Sequence, residues 1–311
     1  MHWKMKALVQ NTVAVLPDIV AQPVYYRLQS RFGNPAADIA PRYRSAAKMG
    51  RWARRYGNGF EDAVVLEIGT GRSIDVPIAC WLMGARRVIS VDLNHYLRHD
   101  LVQRSLEYLA SHREELTELF SDSADRSAFS RRLGELLTAY PDPQDLPEFI
   151  ALEYLPGSDA RTLPFETGSV DYSLSLNVFE HIPPEVLRGI LKESKRLIGP
   201  GGSMIHFIDP SDHFAHSDTQ ISEINFLRYS ERQWRRLAGN RFMYHNRLRA
   251  SDYRAMARDL GLKAVHHEER LDRRCLSELR RGFPVDSRFA GYSDDDMAVT
   301  QYHVMWVTEQ A

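Results

Sequence analysis

The sequence predicts an α/β protein whose central sheet is mostly parallel and carries helices on both faces. A strand, a helix and a second strand follow one another within residues 63–92, which is the pattern of a βαβ unit. A strand with clean alternation at 170–176 precedes a helical pattern, a glycine turn and a further strand. Hydrophobic residues make up 43% and charged residues 26% of the 311, which excludes low-complexity and wholly disordered chains.

Each element has its own local signal. Strands are predicted from short apolar or alternating runs bounded by glycine, and helices from apolar residues at helical spacing that end at glycine or proline. The third strand has the weakest of these signals. The predicted strands are 63–68, 87–92, 150–155, 170–176, 204–208, 262–268 and 299–307, and the predicted helices are 76–82, 184–197 and 251–260.

Charge and cysteine content limit the classes of function. With 40 basic and 41 acidic side chains, the formal net charge is −1, so the whole molecule has no general attraction to nucleic acid. Cys80 and Cys275 cannot build a disulfide framework, which favours a reducing compartment. No apolar run approaches the ~20 residues that cross a bilayer, and the N-terminus is a poor signal peptide. We expect a cytoplasmic protein without a membrane span or a nucleic-acid partner.

Three segments stand apart from the strand and helix pattern. Residues 1–57 carry ten lysines and arginines against two aspartates, which predicts a basic helical cap. Its basic face is either simply solvated or forms a cationic lid over an anionic substrate or a phospholipid surface. Residues 93–150 form a helical insertion with a break near 121–125, and residues 209–250 are predicted to be a substrate lid.

A glycine turn after the first strand is the main functional motif. Residues 66–71 read Leu-Glu-Ile-Gly-Thr-Gly, and two glycines at this spacing allow a backbone to approach a ligand closely. A dinucleotide fingerprint would need a further glycine where Ile74 stands, which disfavours NAD. Asp92 ends the second strand, where a carboxylate can accept hydrogen bonds from both hydroxyls of a ribose. The structural alternatives are that Gly69 and Gly71 only turn the chain and that Asp92 only caps a helix.

With these motifs the chain resembles the class I S-adenosylmethionine-dependent methyltransferases. Residues 65–71 match the family's first motif, and Asp92 matches its ribose-binding acid. Residues 158–165 resemble the loop that binds adenine, residues 173–182 the fourth-strand motif, and residues 196–202 the turn before the fifth strand. The likeness covers about residues 60–210. Arg72 and Ser73 depart from it, because many members have small residues there.

The resemblance implies a Rossmann-like, seven-stranded sheet with an antiparallel last strand, within a cofactor-binding methyltransferase domain at 58–311. It implies S-adenosylmethionine as the cofactor. The residues that it assigns to cofactor binding are Glu67, Gly69, Gly71, Asp92, Asp159, Ala160, through its backbone N–H, and Asn177. For Asp159 the alternative is a solvated loop acid. For Asn177 it is a helix cap, and Glu180 could simply lie in the first turn of that helix.

The acceptor side is predicted after the fifth strand, where open α/β sheets place ligands. Residues 206–216 contain three histidines and two aspartates, and His213 or Asp212 is the expected general base. The same cluster could instead bind a metal or be a hydrogen-bonded structural group. Because its spacing fits no known zinc pattern, we expect no metal. Residues 223–249 mix arginines with aromatic residues, which suits an anionic or aromatic acceptor.

Together these features predict transfer of a methyl group from S-adenosylmethionine to an O or N atom of a small molecule, such as a sugar or a natural-product intermediate. One alternative is non-methyl chemistry on the same fold, by cyclisation or aminobutyrate transfer with release of methylthioadenosine. A non-catalytic binding protein and a nucleic-acid methyltransferase are the others. The oligomeric state is left open.

Overall fold

A computed structural model describes residues 2–32, 39–240 and 242–308, and their strands form one seven-stranded sheet. Along the sheet the order is β3-β2-β1-β4-β5-β7-β6. The first five strands pair in parallel, whereas β7 runs antiparallel to both β5 and β6. The predicted mostly parallel sheet with an antiparallel last strand is confirmed. The strands are β1 Val64–Ile68, β2 Arg87–Asp92, β3 Leu152–Pro156, β4 Val170–Leu176, β5 Ile198–Ile208, β6 Leu262–Leu271 and β7 Val299–Thr308.

Helices cover both faces of the sheet. Every residue of β1 is buried, as expected for a central parallel strand with helices above and below it. The helices are α1 Trp3–Ala14, α2 Asp18–Phe32, α3 Ile39–Tyr56, α4 Asp75–Leu82, α5 His99–Ser111, α6 Arg113–Leu119, α7 Arg126–Ala139, α8 Leu146–Phe149, α9 Pro184–Leu197, α10 Glu231–Ala238, α11 Ala250–Asp259, α12 Arg273–Arg280 and α13 Asp294–Met297. None of the helices in the described ranges is long and apolar enough to span a bilayer.

The basic N-terminal segment contains two kinds of helix. Helix α3 buries Tyr43 and Trp52 in the main core. Two of its basic residues pair with acids of the main domain: Arg42 Nη1 lies 2.9 Å from Asp75 Oδ2, and Lys48 Nζ lies 2.6 Å from Glu268 Oε2. Helix α1 instead packs on α10. Part of the predicted 1–57 cap, residues 1 and 33–38, lies outside the described residues, and the domain boundary stays a prediction.

The predicted helical insertion lies between β2 and β3 and contains α5 to α8. Its expected break is present, because α6 ends at Leu119 and α7 starts only at Arg126. Asp125 fixes that start as an N-cap, with its carboxylate accepting a hydrogen bond from Ala128 N at 2.8 Å. A second break, at His112, was not predicted.

Two elements differ from the sequence prediction. Strand β5 begins at Ile198 and not at residue 204, because Ile198 already pairs with Val170 before a bulge. The glycine turn therefore lies inside the strand ladder. Helix α12 lies between the last two strands, where the sequence analysis predicts no helix. Its start is fixed by Asp272, which accepts a hydrogen bond from Cys275 N at 2.8 Å.

Candidate functional site

The carboxyl end of β1 carries a buried acid. Glu67 is 4% exposed and accepts a hydrogen bond from Ser90 Oγ on β2. Ser90 Oγ also lies 2.6 Å from Thr70 Oγ1, so the serine links the acid to the glycine turn. Burial raises the pKa of Glu67 to about 8, with Asp75 and Asp92 adding to the shift. Glu67 therefore supports the glycine turn through its hydrogen bond with Ser90.

The two glycines of the turn have different reasons to be glycine. Both have a positive φ, 85° at Gly69 and 66° at Gly71. A Cβ on Gly69 would lie 2.6 Å from Val178 Cγ2, so that position is closed by a residue of the loop that follows β4. A Cβ on Gly71 would meet no atom within 4 Å, so that backbone faces open space. An open left-handed glycine is what close approach of a ligand requires.

Asp92 is tied directly to the turn. Its Oδ2 accepts a hydrogen bond from Gly71 N at 2.9 Å, and its Oδ1 accepts one from Asn94 N at 2.8 Å. The side chain is nearly buried, and burial raises its pKa. Each carboxylate oxygen has a second lone pair, so the group can still accept hydrogen bonds from ligand hydroxyls.

The remaining predicted cofactor residues lie on two loops at the same edge of the sheet. Ser158 N donates to Asp92 O at 3.1 Å, which places the loop of Asp159 and Ala160 beside the end of β2. Asp159 is partly exposed and pairs with Arg161, and the hydrogen bonds from Arg161 lower the pKa of Asp159. Ala160 packs partly against the core.

Asn177 closes the edge on the β4 side. It is exposed, has a φ of 53°, and its N donates to Phe207 O at 2.8 Å on β5. Asparagine is one of the few non-glycine residues that adopt this conformation at low cost. The open backbone at Gly71, the buried acceptor at Asp92 and these loops together fit a nucleoside with a ribose.

A second polar cluster lies in the two segments that follow β4 and β5. Phe179–His181 form one turn of 3₁₀ helix after β4, and Asp209 and His213 follow β5. One ligand atom each from Glu180, His181 and His213 lies within 4.8 Å of the others. Glu180 is fully buried, and burial raises its pKa to about 8. His213 Nε2 lies 3.5 Å from Asp209 Oδ2.

The two predicted bases fall in different places. His213 lies in this cluster. Burial lowers the pKa of its imidazole, but the contact with Asp209 outweighs burial and the net pKa is raised. Asp212 is 1% exposed and has two protein donors, Phe214 N at 2.9 Å and Asn225 Nδ2 at 3.1 Å. Its carboxylate thus holds the loop together, and burial raises its pKa to about 6.

Sequence analysis did not single out Asp209 and His245, which belong to the same neighbourhood. Asp209 could have been found, because it directly follows the predicted fifth strand, at the end of the sheet where open α/β folds place ligands. His245 gave no sequence signal. The His213 and His245 rings are 5.1 Å apart, and Asn246 N donates to Glu180 O at 2.8 Å, which anchors this part of the chain.

An aromatic layer covers this part of the molecule. Trp3 of α1 lies 5.4 Å from the Phe214 ring and 6.3 Å from the Trp234 ring. Trp3 N also donates to Asp218 Oδ2 at 2.8 Å. The N-terminal helix is thereby fixed onto residues 209–240, next to the loop that supplies His213.

Known proteins provide a comparison for this geometry. Residues 144–206 match a family model described as a methyltransferase domain. No curated protein sequence matches the chain. Among solved structures, the chain is similar to magnesium protoporphyrin IX methyltransferase from Synechocystis, which holds S-adenosylhomocysteine. The two are 14% identical over 98% of this chain and 100% of that chain, with a TM-score of 0.47.

Two further structures are similar to this chain. One comes from the complex between the Haloferax volcanii Trm112 methyltransferase activator and a methyltransferase; it is 16% identical over 89% of this chain and 93% of that chain, with a TM-score of 0.45. The other is the YcgJ protein of Bacillus subtilis, 13% identical over 86% and 99%, with a TM-score of 0.43. The match to a methyltransferase domain agrees with the observed strand order and with the glycine turn after β1. The matched segment covers part of the chain, and the mostly parallel seven-stranded sheet is the fold that the resemblance to class I S-adenosylmethionine-dependent methyltransferases implies.

Proposed function

We propose that this enzyme transfers a methyl group from S-adenosylmethionine to an oxygen or nitrogen atom of a small molecule, such as a sugar or a natural-product intermediate. One observation carries the proposal. Val178 closes the glycine turn at Gly69, and the polar cluster of Glu180 and His181 begins two residues later. The proposed cofactor site and a cluster able to handle a proton therefore adjoin.

In this proposal Asp92 binds the ribose, Asp159 and the Ala160 N–H bind adenine, and Glu67, Gly69, Gly71 and Asn177 shape the site. When bound, the cofactor supplies a methyl group on a positively charged sulfur. The protein then has mainly to align the acceptor's lone pair with the methyl carbon. An alcohol acceptor must also lose a proton, and the His213 cluster lies where that proton would leave.

The aromatic layer supports a small acceptor. Trp3, Phe214, Phe226 and Trp234 belong to one buried cluster beside the polar site. A site covered in this way suits a small molecule better than a nucleic-acid duplex. The two cysteines, both buried and unpaired, support a cytoplasmic location.

A surface cavity supports the proposal that the acceptor has an anionic or aromatic part. It has a volume of about 360 Å³, and Arg228, Arg274, Arg281 and Phe283 contribute to its lining. Asn225 also lines this cavity and donates to Asp212, the neighbour of His213 in sequence. Arginine and aromatic side chains are suited to carboxylates, phosphates and rings.

The test is incubation of the purified protein with S-adenosylmethionine carrying a deuterated methyl group and a panel of hydroxylated and amino small molecules. Mass spectrometry follows both the acceptor and the nucleoside product. Methylated acceptor and S-adenosylhomocysteine in equal amounts are expected. Methylthioadenosine formed from S-adenosylmethionine alone would instead indicate cyclisation or aminobutyrate transfer. Label found only on added RNA or DNA would overturn the small-molecule assignment, and no turnover with any class would favour a binding protein.

A further inference from the structure

The cluster after β4 and β5 has the composition of a metal site. Its three members, Glu180, His181 and His213, each offer one oxygen or nitrogen atom, and all three atoms lie within 4.8 Å of one another. His181 Nε2 lies 3.9 Å from Glu180 Oε1. Two imidazoles and one carboxylate form the ligand set of many catalytic zinc sites, which leave a fourth position open.

The carboxyl group of Glu180 is buried without a hydrogen-bond partner among the described residues. The residue is 0% exposed, and the lack of a partner within the described ranges applies to both of its oxygens. Burying a polar group without partners is unfavourable, and it is more unfavourable still when the group is charged. A bound cation removes that cost, whereas a purely structural role leaves it unexplained.

The two histidines of the set offer the nitrogen that a metal needs. His181 Nδ1 lies 2.9 Å from Tyr244 O, so Nδ1 carries the proton and the Nε2 lone pair faces Glu180. A histidine whose second nitrogen donates to a backbone carbonyl is the usual arrangement of a metal ligand. His213 Nε2 is buried and has no hydrogen-bond partner among the described residues, and Asp209 Oδ2 lies 3.5 Å from it.

The same reasoning excludes His245 as a ligand. Its Nδ1 accepts a hydrogen bond from Arg247 N at 3.0 Å, so the proton of the neutral ring is on Nε2. That nitrogen is buried and can only donate. His216 is more exposed, with Nε2 3.2 Å from Ser211 Oγ and 3.6 Å from Asp209 Oδ2. Among the described residues, the group whose ligand atoms lie within 4.8 Å of one another is therefore Glu180, His181 and His213.

We propose that Glu180, His181 and His213 bind a divalent transition-metal ion, with Zn²⁺ as the ion that this ligand set fits best. This site differs from the expectation of no metal, which rested on sequence spacing; Glu180 and His181 follow β4 whereas His213 follows β5, so no single local segment contains all three ligands. The role of the ion rests on the proposed function. The acceptor's oxygen or nitrogen binds at the ion's open position, and the ion lowers the pKa of that group. His213 then acts as a ligand, and the nearby His216 carries the acceptor's proton to solvent.

The first experiment measures metal in the untagged full-length protein. Inductively coupled plasma mass spectrometry is applied before and after chelation, and the metal-free protein is titrated with Zn²⁺ and with Co²⁺. One ion per chain and the intense visible absorption of four-coordinate Co²⁺ are expected. Failure to bind more than trace metal, or a Co²⁺ spectrum like that of the hydrated ion, would overturn the site.

Variants identify the ligands. Glu180→Gln and His181→Gln should each lower the Zn²⁺ affinity by about 100-fold or more, while the matched control His216→Gln should change it by less than about threefold. Equal affinity in all three variants would refute the ligand assignment. S-adenosylhomocysteine binding by calorimetry checks that each variant is folded. If Glu180→Gln fails this check, the half-exposed His181 position still provides the test.

The outcome for the metal can be separated from the outcome for the proposed function. Stoichiometric metal in a protein that methylates no small molecule would sustain the site and refute its role toward an acceptor. Undiminished methyl transfer by the chelated, metal-free enzyme would likewise refute that role. Loss of transfer on chelation, restored by Zn²⁺ with cofactor binding unchanged, is the expected result.

Discussion

Replacing Asp92 with alanine tests the proposed cofactor site most directly, because this carboxylate is fixed on both oxygens. Gly71 N at 2.9 Å and Asn94 N at 2.8 Å hold it at the end of β2. The variant would lose a charge-assisted acceptor for the ribose and would leave the Gly71 N–H without its partner. Hydrogen bonds to charged groups contribute about 1.5–3 kcal/mol each, and part of that is recovered by water.

We therefore expect Asp92→Ala to weaken cofactor binding by about 1–3 kcal/mol, which is about a 5- to 150-fold rise in Kd. Asp92→Asn keeps one acceptor oxygen and loses the charge, so its effect should be smaller. The assay is isothermal titration with S-adenosylhomocysteine, and thermal unfolding without ligand controls for folding. A Kd for Asp92→Ala within about threefold of the wild-type value, in a folded protein, would refute the role given to Asp92.

Further predictions concern the glycine turn, the buried acid and the N-terminal helix. Gly69→Ala combines a left-handed backbone with a 2.6 Å approach to Val178, so it should lower the free energy of unfolding by about 2–4 kcal/mol in urea titrations. The added methyl group of Gly71→Ala meets no neighbour, so that variant should lower the free energy of unfolding by only about 1–2 kcal/mol. Gly71→Ala should nevertheless weaken S-adenosylhomocysteine binding. Equal stability losses for the two variants would contradict this. Burial raises the pKa of Glu67 from 4.5 to about 8, so between these pH values the folded state retains a proton that the unfolded chain releases, and stability falls as the pH rises through this window. Glu67→Gln should make that fall shallower in unfolding titrations at several pH values, and an unaltered slope would count against the shift. Trp3→Ala, which removes a 3% exposed ring, should cost about 3–5 kcal/mol of packing and speed proteolysis within α1; an unchanged cleavage rate would show that α1 is held by other contacts.

The strands and the cofactor turn could be predicted from sequence because their signals are local. An apolar run followed by Gly-x-Gly fixes a strand end within six residues, and a parallel sheet follows from the helix between two such runs. The start of β5 could not be predicted, since Ile198 joins the ladder only through its pairing with Val170 across a bulge. Helix α12 was missed because its cap, Asp272, lies in a stretch dominated by charge.

The candidate acceptor side of the site is built from residues that are distant in sequence. Glu180 and His213 are 33 positions apart and meet because β4 and β5 are parallel neighbours whose carboxyl ends converge. Sequence offered His213 and Asp212 equally as bases. The tertiary structure separated them, since one side chain turns toward the cluster and the other toward Asn225. By itself the sequence predicted the fold class, because that depends on local backbone patterns, and its resemblance to a known family implied the cofactor. Only tertiary structure decided which polar groups are buried without partners, because burial and pairing depend on what the rest of the chain packs around them.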